Sequence, residues 1–208
     1  MIILFYIIVL IFSVIVHEIC HGYAALALGD ETAKRAGRLT LNPLAHIDVF
    51  GSILFPLLLA ISNAPIFGWA KPVPYDPRFL KNPKRASGLI ALAGPASNFL
   101  LALIFAACIR LLVAVPAFSI STELYLLFYI IVRVNIALAL FNLLPIPPLD
   151  GSGVLFSILP SSLRWLQEPL ERYGFILLIV LVMSGVSFLN PLMIGVERFL
   201  LGPTAPFI

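Results

Sequence analysis

Apolar residues run from Met1 to Gly29 with Glu18 as the one Asp, Glu, Lys or Arg among them, a pattern that predicts a membrane helix over about Ile2 to Leu28. Gly29-Asp30 stops it. Thr32 to Ile47 is polar and broken by Gly37 and Pro43, which predicts an extended or looped segment at the membrane surface. Val49 to Ala70 carries no charge, yet Gly51, Pro56, Asn63, Pro65 and Gly68 interrupt it. Its clean part, Val49 to Ser62, is about 14 residues or roughly 21 Å of helix, which is short for a crossing and sized for a re-entrant element. Ser87 to Val115 predicts a second long helix, Pro116 to Thr122 a short loop, and Glu123 to Asn142 a third long helix. Pro145, Pro147 and Pro148 must unwind the chain close to Asp150, because each removes an amide donor and restricts the residue before it. Tyr173 to Leu201 predicts a final span or helical hairpin interrupted at Asn190-Pro191.

Composition turns these elements into a class. Of 208 residues, 61% are apolar and only 11% charged, which no ordinary soluble domain shows. The expectation is an all-α polytopic membrane protein forming one domain over residues 1–208, with the lipid bilayer as its surroundings. Met1 to Val16 lacks the basic start and small-residue cleavage site of a secretory signal, so it is read as part of the mature helix. The net charge of +3 comes from 13 Lys and Arg against 10 Asp and Glu, with no basic stripe that would suit nucleic acid. Two isolated cysteines, Cys20 and Cys108, make no disulfide framework.

Loop charges set the orientation. Lys34, Arg35 and Arg38 follow the first helix, and Lys71, Arg78, Lys81, Lys84 and Arg85 follow the interrupted segment. The positive-inside rule puts both loops in the cytoplasm, so Val49 to Ala70 re-enters. The third helix then returns Asp150 to the cytoplasmic half, at the depth of His17 and His21. A full crossing is the alternative, and it would leave Asp150 in the outer half.

The chemistry lies at His17-Glu18-Ile19-Cys20-His21. Residues four apart stack on one helix face, so His17 and His21 can present two imidazoles to one ion. Glu18 is beside them, where its carboxylate can take a proton from a water that the ion activates. Such residues are costly inside a membrane, which makes a functional site the default reading. Taken alone, Asp150-Gly151 after prolines reads as a turn signature.

That H-E-x-x-H set, together with Asn142-Leu143-Leu144-Pro145-Ile146-Pro147-Pro148-Leu149-Asp150-Gly151, resembles the site-2 protease family of intramembrane zinc metallopeptidases, peptidase family M50. Arg38 to Asp48, Phe67 to Pro74 and Gly94-Pro95-Ala96-Ser97-Asn98 are similar to its compact branch, which lacks a PDZ insertion and a CBS tail. The resemblance covers about residues 13–155. It implies a three-helix catalytic core with a re-entrant or β-containing element and one or two C-terminal spans. It also implies Zn2+ held by His17, His21 and Asp150, Glu18 as general base, and Asn142 as a catalytic hydrogen-bonding residue. The substrate would be a transmembrane protein, and the site would lie nearer the cytoplasmic face of a prokaryotic membrane. A helix-to-helix hydrogen bond is the other reading of Asn142, and interhelical contacts are expected of Asn98 and Asn135. A fourth histidine or acid ligand would close the site, so His46 is assigned to structure, substrate gating or support of the ligands. Phe67 to Ala70 could be a β edge that holds an unwound substrate, or an interfacial Trp anchor. The rival class is a cation transporter or metal-binding membrane protein, which would need ligands staged across the bilayer.

Overall fold

The computed structural model describes residues 1–63, 68–115 and 121–202. The helices are α1 (Ile2–Ala27), α2 (Thr32–Arg35), α3 (Phe55–Ile61), α4 (Pro83–Ala114), α5 (Thr122–Asn142), α6 (Asp150–Ile158), α7 (Gln167–Met183) and α8 (Asn190–Leu201). No strand occurs among the described residues. The chain is an all-α polytopic membrane protein. Among the described residues α1, α4 and α5 are long and apolar enough to cross a bilayer, and only 28%, 22% and 33% of their most apolar stretches are buried. The remaining apolar surface belongs against lipid.

Local chemistry explains the ends of these helices. Asn82 caps α4 by accepting from Arg85 N at 3.3 Å, with Pro83 at the first helical position, where a missing N–H costs nothing. Ser121 caps α5 through Leu124 N. Past α1, Gly29 adopts φ +104°, a conformation that glycine takes at little cost. The core α4 packs against α1, α5 and α6. Ala102, Ala106 and Ile109 of α4 bury against Val132 and Ile136 of α5 and Leu200 and Leu201 of α8. Small residues let α4 and α6 approach closely: a Cβ on Gly88 would collide with Ser157, and one on Gly153 would press on Ala91.

Three expectations need correcting or completing. A π-helical turn over Val49–Leu54 runs directly into α3, and the two together end at Ile61, a length that stops short of a crossing. The expected β element is absent among the described residues. Phe67 lies outside them, and Gly68 to Asp76 has no regular secondary structure and carries prolines at 72 and 74, which deprive it of the donors a ladder needs. The C-terminal interruption falls at Ser184–Gly185, where Gly185 has φ +88°, and the helical segments on either side are bent by 80°. Asn190-Pro191 opens α8 instead, because proline is tolerated in a first helical turn. Of the expected loop from Pro116 to Thr122, residues 116–120 lie outside the described part.

The loops between α1 and α4 are fixed by buried polar groups. Asp30 is fully buried. Its carboxylate accepts from Thr32 N (2.9 Å), Thr32 Oγ1 (2.5 Å) and Asp76 N (2.6 Å). Burial pushes its pKa up, but these three donors outweigh burial and hold it below the ordinary carboxylate range. A carboxyl depressed in the folded state stabilises above its unfolded pKa of about 3.9, and that stabilisation fades as pH falls through the folded value. Asp30→Asn is therefore expected to lower stability at pH 7 by about 1–3 kcal/mol. Melting curves in detergent should show the gap between the two proteins narrowing as pH drops below about 4.

Candidate active site

Two matched stripes build the site. On α1, Ser13, His17 and His21 recur every fourth residue and face Asn98, Gly94 and Ile90 of the antiparallel α4. His17 Nδ1 lies 2.6 Å from Asn98 Oδ1 and His21 Nδ1 lies 2.7 Å from Ile90 O. The Asn98 amide donates through Nδ2 to Ser13 O (3.2 Å) and Asn135 Oδ1 (2.9 Å), while Asn135 Nδ2 donates to Ser13 Oγ (3.0 Å) and Ile131 O (2.9 Å). A backbone carbonyl can only accept. The Asn98 Nδ2 therefore faces Ser13, its Oδ1 faces His17, and both histidines carry their proton on Nδ1.

The consequence is electrostatic. Both Nε2 atoms present lone pairs, and they lie 3.1 Å apart. Asp150 Oδ2 stands 3.0 Å from His17 Nε2 and 3.3 Å from His21 Nε2. That oxygen has no hydrogen-bond donor among the described residues. With both imidazoles neutral, these three atoms are electron-pair donors in contact, a cluster that a cation would relieve. Ligand atoms about 2.0–2.2 Å from a tetrahedral ion lie roughly 3.3–3.6 Å apart; the separations here, 3.0–3.3 Å, are shorter by a few tenths of an ångström at most pairs, so the donor set suits zinc and a small outward shift of the side chains completes the spacing. Among the described residues no other group of three His, Cys, Asp or Glu side chains converges in this way.

Asp150 reaches the cluster because α5 ends at Asn142 and the proline-rich turn redirects the chain into α6, with Asp150 in its first turn. Gly151 must lack a side chain there: a Cβ would meet the carbonyls of Leu143 and Leu144. Gly94 is constrained in the same way, since a Cβ would overlap Nε2 of both histidines.

The cluster opens on a cavity of about 730 Å³ whose lining includes Glu18, Asn142, Trp69, Tyr75, Phe141 and Phe175. Glu18 stands outside the three-atom cluster and accepts from Val73 N at 3.0 Å. Asn142 gives one amide proton to Leu138 O within its own helix, at 3.0 Å. Asn98 and Asn135 make the interhelical bonds expected of them, and Asn98 in addition fixes the His17 tautomer. His46 is apart from the cluster and 3% exposed, with Nε2 against Thr40 O at 2.8 Å. Arg133 has a carboxylate partner that sequence reasoning missed: its Nε is 3.8 Å from Glu197 Oε1, and its Nη1 donates to Tyr129 Oη, which donates to Glu197 Oε2.

The sequence profile described as Peptidase family M50 matches residues 5–121 and 113–185. The chain belongs to peptidase family M50. Among the M50 relatives, the Bacillus subtilis (strain 168) protein named "Putative zinc metalloprotease YwhC" is 43% identical over 87% of this chain and 81% of its own length. "Putative zinc metalloprotease Rip2" of Mycolicibacterium smegmatis is 30% identical over 83% of this chain and 64% of its own. "Zinc metalloprotease MJ0392" of Methanocaldococcus jannaschii is 25% identical over 92% of this chain and 46% of its own. No solved structure matches. The site-2 protease family inferred from the two motifs is thus the family of the whole chain.

Proposed function

We propose that this chain is an intramembrane zinc endopeptidase that hydrolyses peptide bonds within or near transmembrane segments of other membrane proteins. Residues 1–208 act as one protease domain. The observation that carries the reading is the convergence of His17 Nε2, His21 Nε2 and Asp150 Oδ2 within 3.3 Å of one another at the wall of a cavity inside a lipid-facing helical bundle. Zinc on these three atoms would leave a fourth position open, and it supplies a Lewis acid that polarises the scissile carbonyl and acidifies water.

The protein's own groups do the rest. Asn98 and the Ile90 carbonyl hold the two imidazoles in the ligating tautomer, which also raises their basicity. Glu18 takes the proton of the attacking water and returns it to the leaving amine. Asn142 has a second amide proton and a carbonyl oxygen for the substrate backbone. Val14, Leu138, Phe141 and Leu149 give the cavity apolar walls that suit a segment drawn from the bilayer. The basic residues between α1 and α4 favour the cytoplasmic side for this end of the molecule, in the membrane of a prokaryote, as for the relatives named above. A cation transporter would need ligands staged across the bilayer, and among the described residues there is no second ligand group.

The test is cleavage of a single-span reporter bearing a Gly-Pro helix break, with both proteins reconstituted in lipid vesicles. Turnover is expected to disappear on treatment with a zinc chelator and to return on adding zinc. Equal turnover before and after complete metal removal would overturn the proposal.

A further inference from the structure

We propose that the backbone amide of Val73 is a positioning group for the Glu18 carboxylate, aimed by a strap that lines the cavity. The proposal rests on the reading of Glu18 as general base. The strap is the segment Gly68 to Asp76, which has no regular secondary structure, and its main chain is tied along its length. Trp69 N donates to Gly51 O at 3.1 Å and Lys71 N to His46 O at 2.9 Å. The Ser52 hydroxyl donates to Trp69 O at 2.8 Å, and Arg38 Nη2 donates to Lys71 O at 2.6 Å. Asp76 N donates to the buried Asp30 carboxylate at 2.6 Å. Arg38 and His46, which tie Lys71, are 7% and 3% exposed, and Asp30, which ties Asp76, is fully buried, so buried groups hold the strap on either side of Val73.

Between those ties, sequence leaves one donor. Pro72 and Pro74 have no N–H and bias the residues before them toward extended backbone, so Val73 carries the lone amide between Lys71 and Tyr75. That amide points at Glu18 Oε2, 3.0 Å away. The Val73 side chain is 8% exposed and packs where α1 has no side chain: a Cβ on Gly22 would stand 3.0 Å from Val73 Cγ1. Packing and hydrogen bonding therefore fix the amide against α1 together. It is the one hydrogen bond that Glu18 accepts among the described residues. A carboxylate on a two-methylene tether can swing. Holding Oε2 fixes the plane of the group and leaves Oε1 to receive the proton of the attacking water.

The experiment removes the amide proton and keeps the strap. Val73→Pro deletes the N–H within a segment that has no regular secondary structure. Replacing Val73 by its α-hydroxy acid analogue, through nonsense suppression, deletes the same N–H and retains the valine side chain. Val73→Ala keeps the N–H and controls for the side chain. Zinc content, kcat and KM are measured for the reporter in vesicles, with Glu18→Gln alongside. Both amide-deleted proteins are expected to keep zinc and lose kcat by roughly tenfold to a hundredfold, the scale of misplacing a catalytic group by about an ångström. KM should stay within about twofold, because ground-state binding is untouched. If Val73→Pro loses zinc through misfolding, the hydroxy-acid protein decides. A kcat equal to that of Val73→Ala, a rise in kcat, or a rise in KM alone would overturn the proposal, the last assigning the strap to substrate binding. Full turnover in Glu18→Gln would instead overturn the general-base reading on which it rests.

Discussion

Glu18→Gln is expected to retain zinc and to lose turnover by about 10²–10⁴-fold, the contribution typical of a positioned general acid and base. The substitution is nearly isosteric, and its amide oxygen can still accept from Val73 N, so the strap keeps its contact with α1. The amide cannot take a proton from water at neutral pH. Because Glu18 stands outside the cluster of His17, His21 and Asp150, the ligand set is untouched. Vesicle assays with parallel metal analysis read both quantities on one preparation. A variant with full zinc and near-natural turnover would remove Glu18 from the chemistry, and a variant without zinc would place it among the ligands.

The second large effect is expected at a residue with no functional atoms. Gly94→Ala would put a methyl group inside van der Waals contact of both Nε2 atoms, on the face of α4 whose neighbouring turns hold the imidazoles. Overpacking of this kind costs about 1–3 kcal/mol. Here the histidines would have to yield, since the α4 backbone is pinned between α1, α5 and α6. Displacing them breaks the bonds to Asn98 Oδ1 and Ile90 O, and zinc affinity is expected to fall by about 10–100-fold, as it does when the partners of metal ligands are lost. Gly195 in α8 is the control, with nothing within 4 Å of a Cβ. Gly195→Ala should keep zinc and gain about 0.5–1 kcal/mol from helix propensity. Competition against a zinc chelator separates the two variants. Equal affinity in both would show that the ligands do not need the space Gly94 leaves.

Much of this arrangement was legible in the chain because it depends on local spacing. The helices α1, α4 and α5 follow from apolar runs of crossing length. The pairing of His17 with His21 follows from a four-residue interval, and the unwinding before Asp150 from three prolines. The stripe of Ile90, Gly94 and Asn98 has the same interval as Ser13, His17 and His21, and that correspondence was the available signal for Asn98 as the group orienting His17. What stayed hidden depends on distance in sequence. Asp30 reads as a helix stop, but its carboxylate acts on Asp76, 46 residues on. Glu197 could not be matched to Arg133 because the two lie on different helices, and the bend at Gly185 that precedes α8 has no counterpart in local spacing. The Phe-Gly-Trp-Ala pattern allows a β edge or an interfacial Trp anchor, and Pro72 and Pro74 leave the segment a strap held by backbone carbonyls and side chains of its neighbours.

The central claim is that two motifs more than a hundred residues apart hold one zinc ion. It is tested most directly by zinc content per chain in the purified protein and in Asp150→Ala, each after equilibration with zinc and removal of the excess. The account predicts about one zinc per natural chain, as one site with three protein ligands requires, and loss of most of it in the variant. Zinc held equally by both proteins would remove Asp150 from the site and contradict the account.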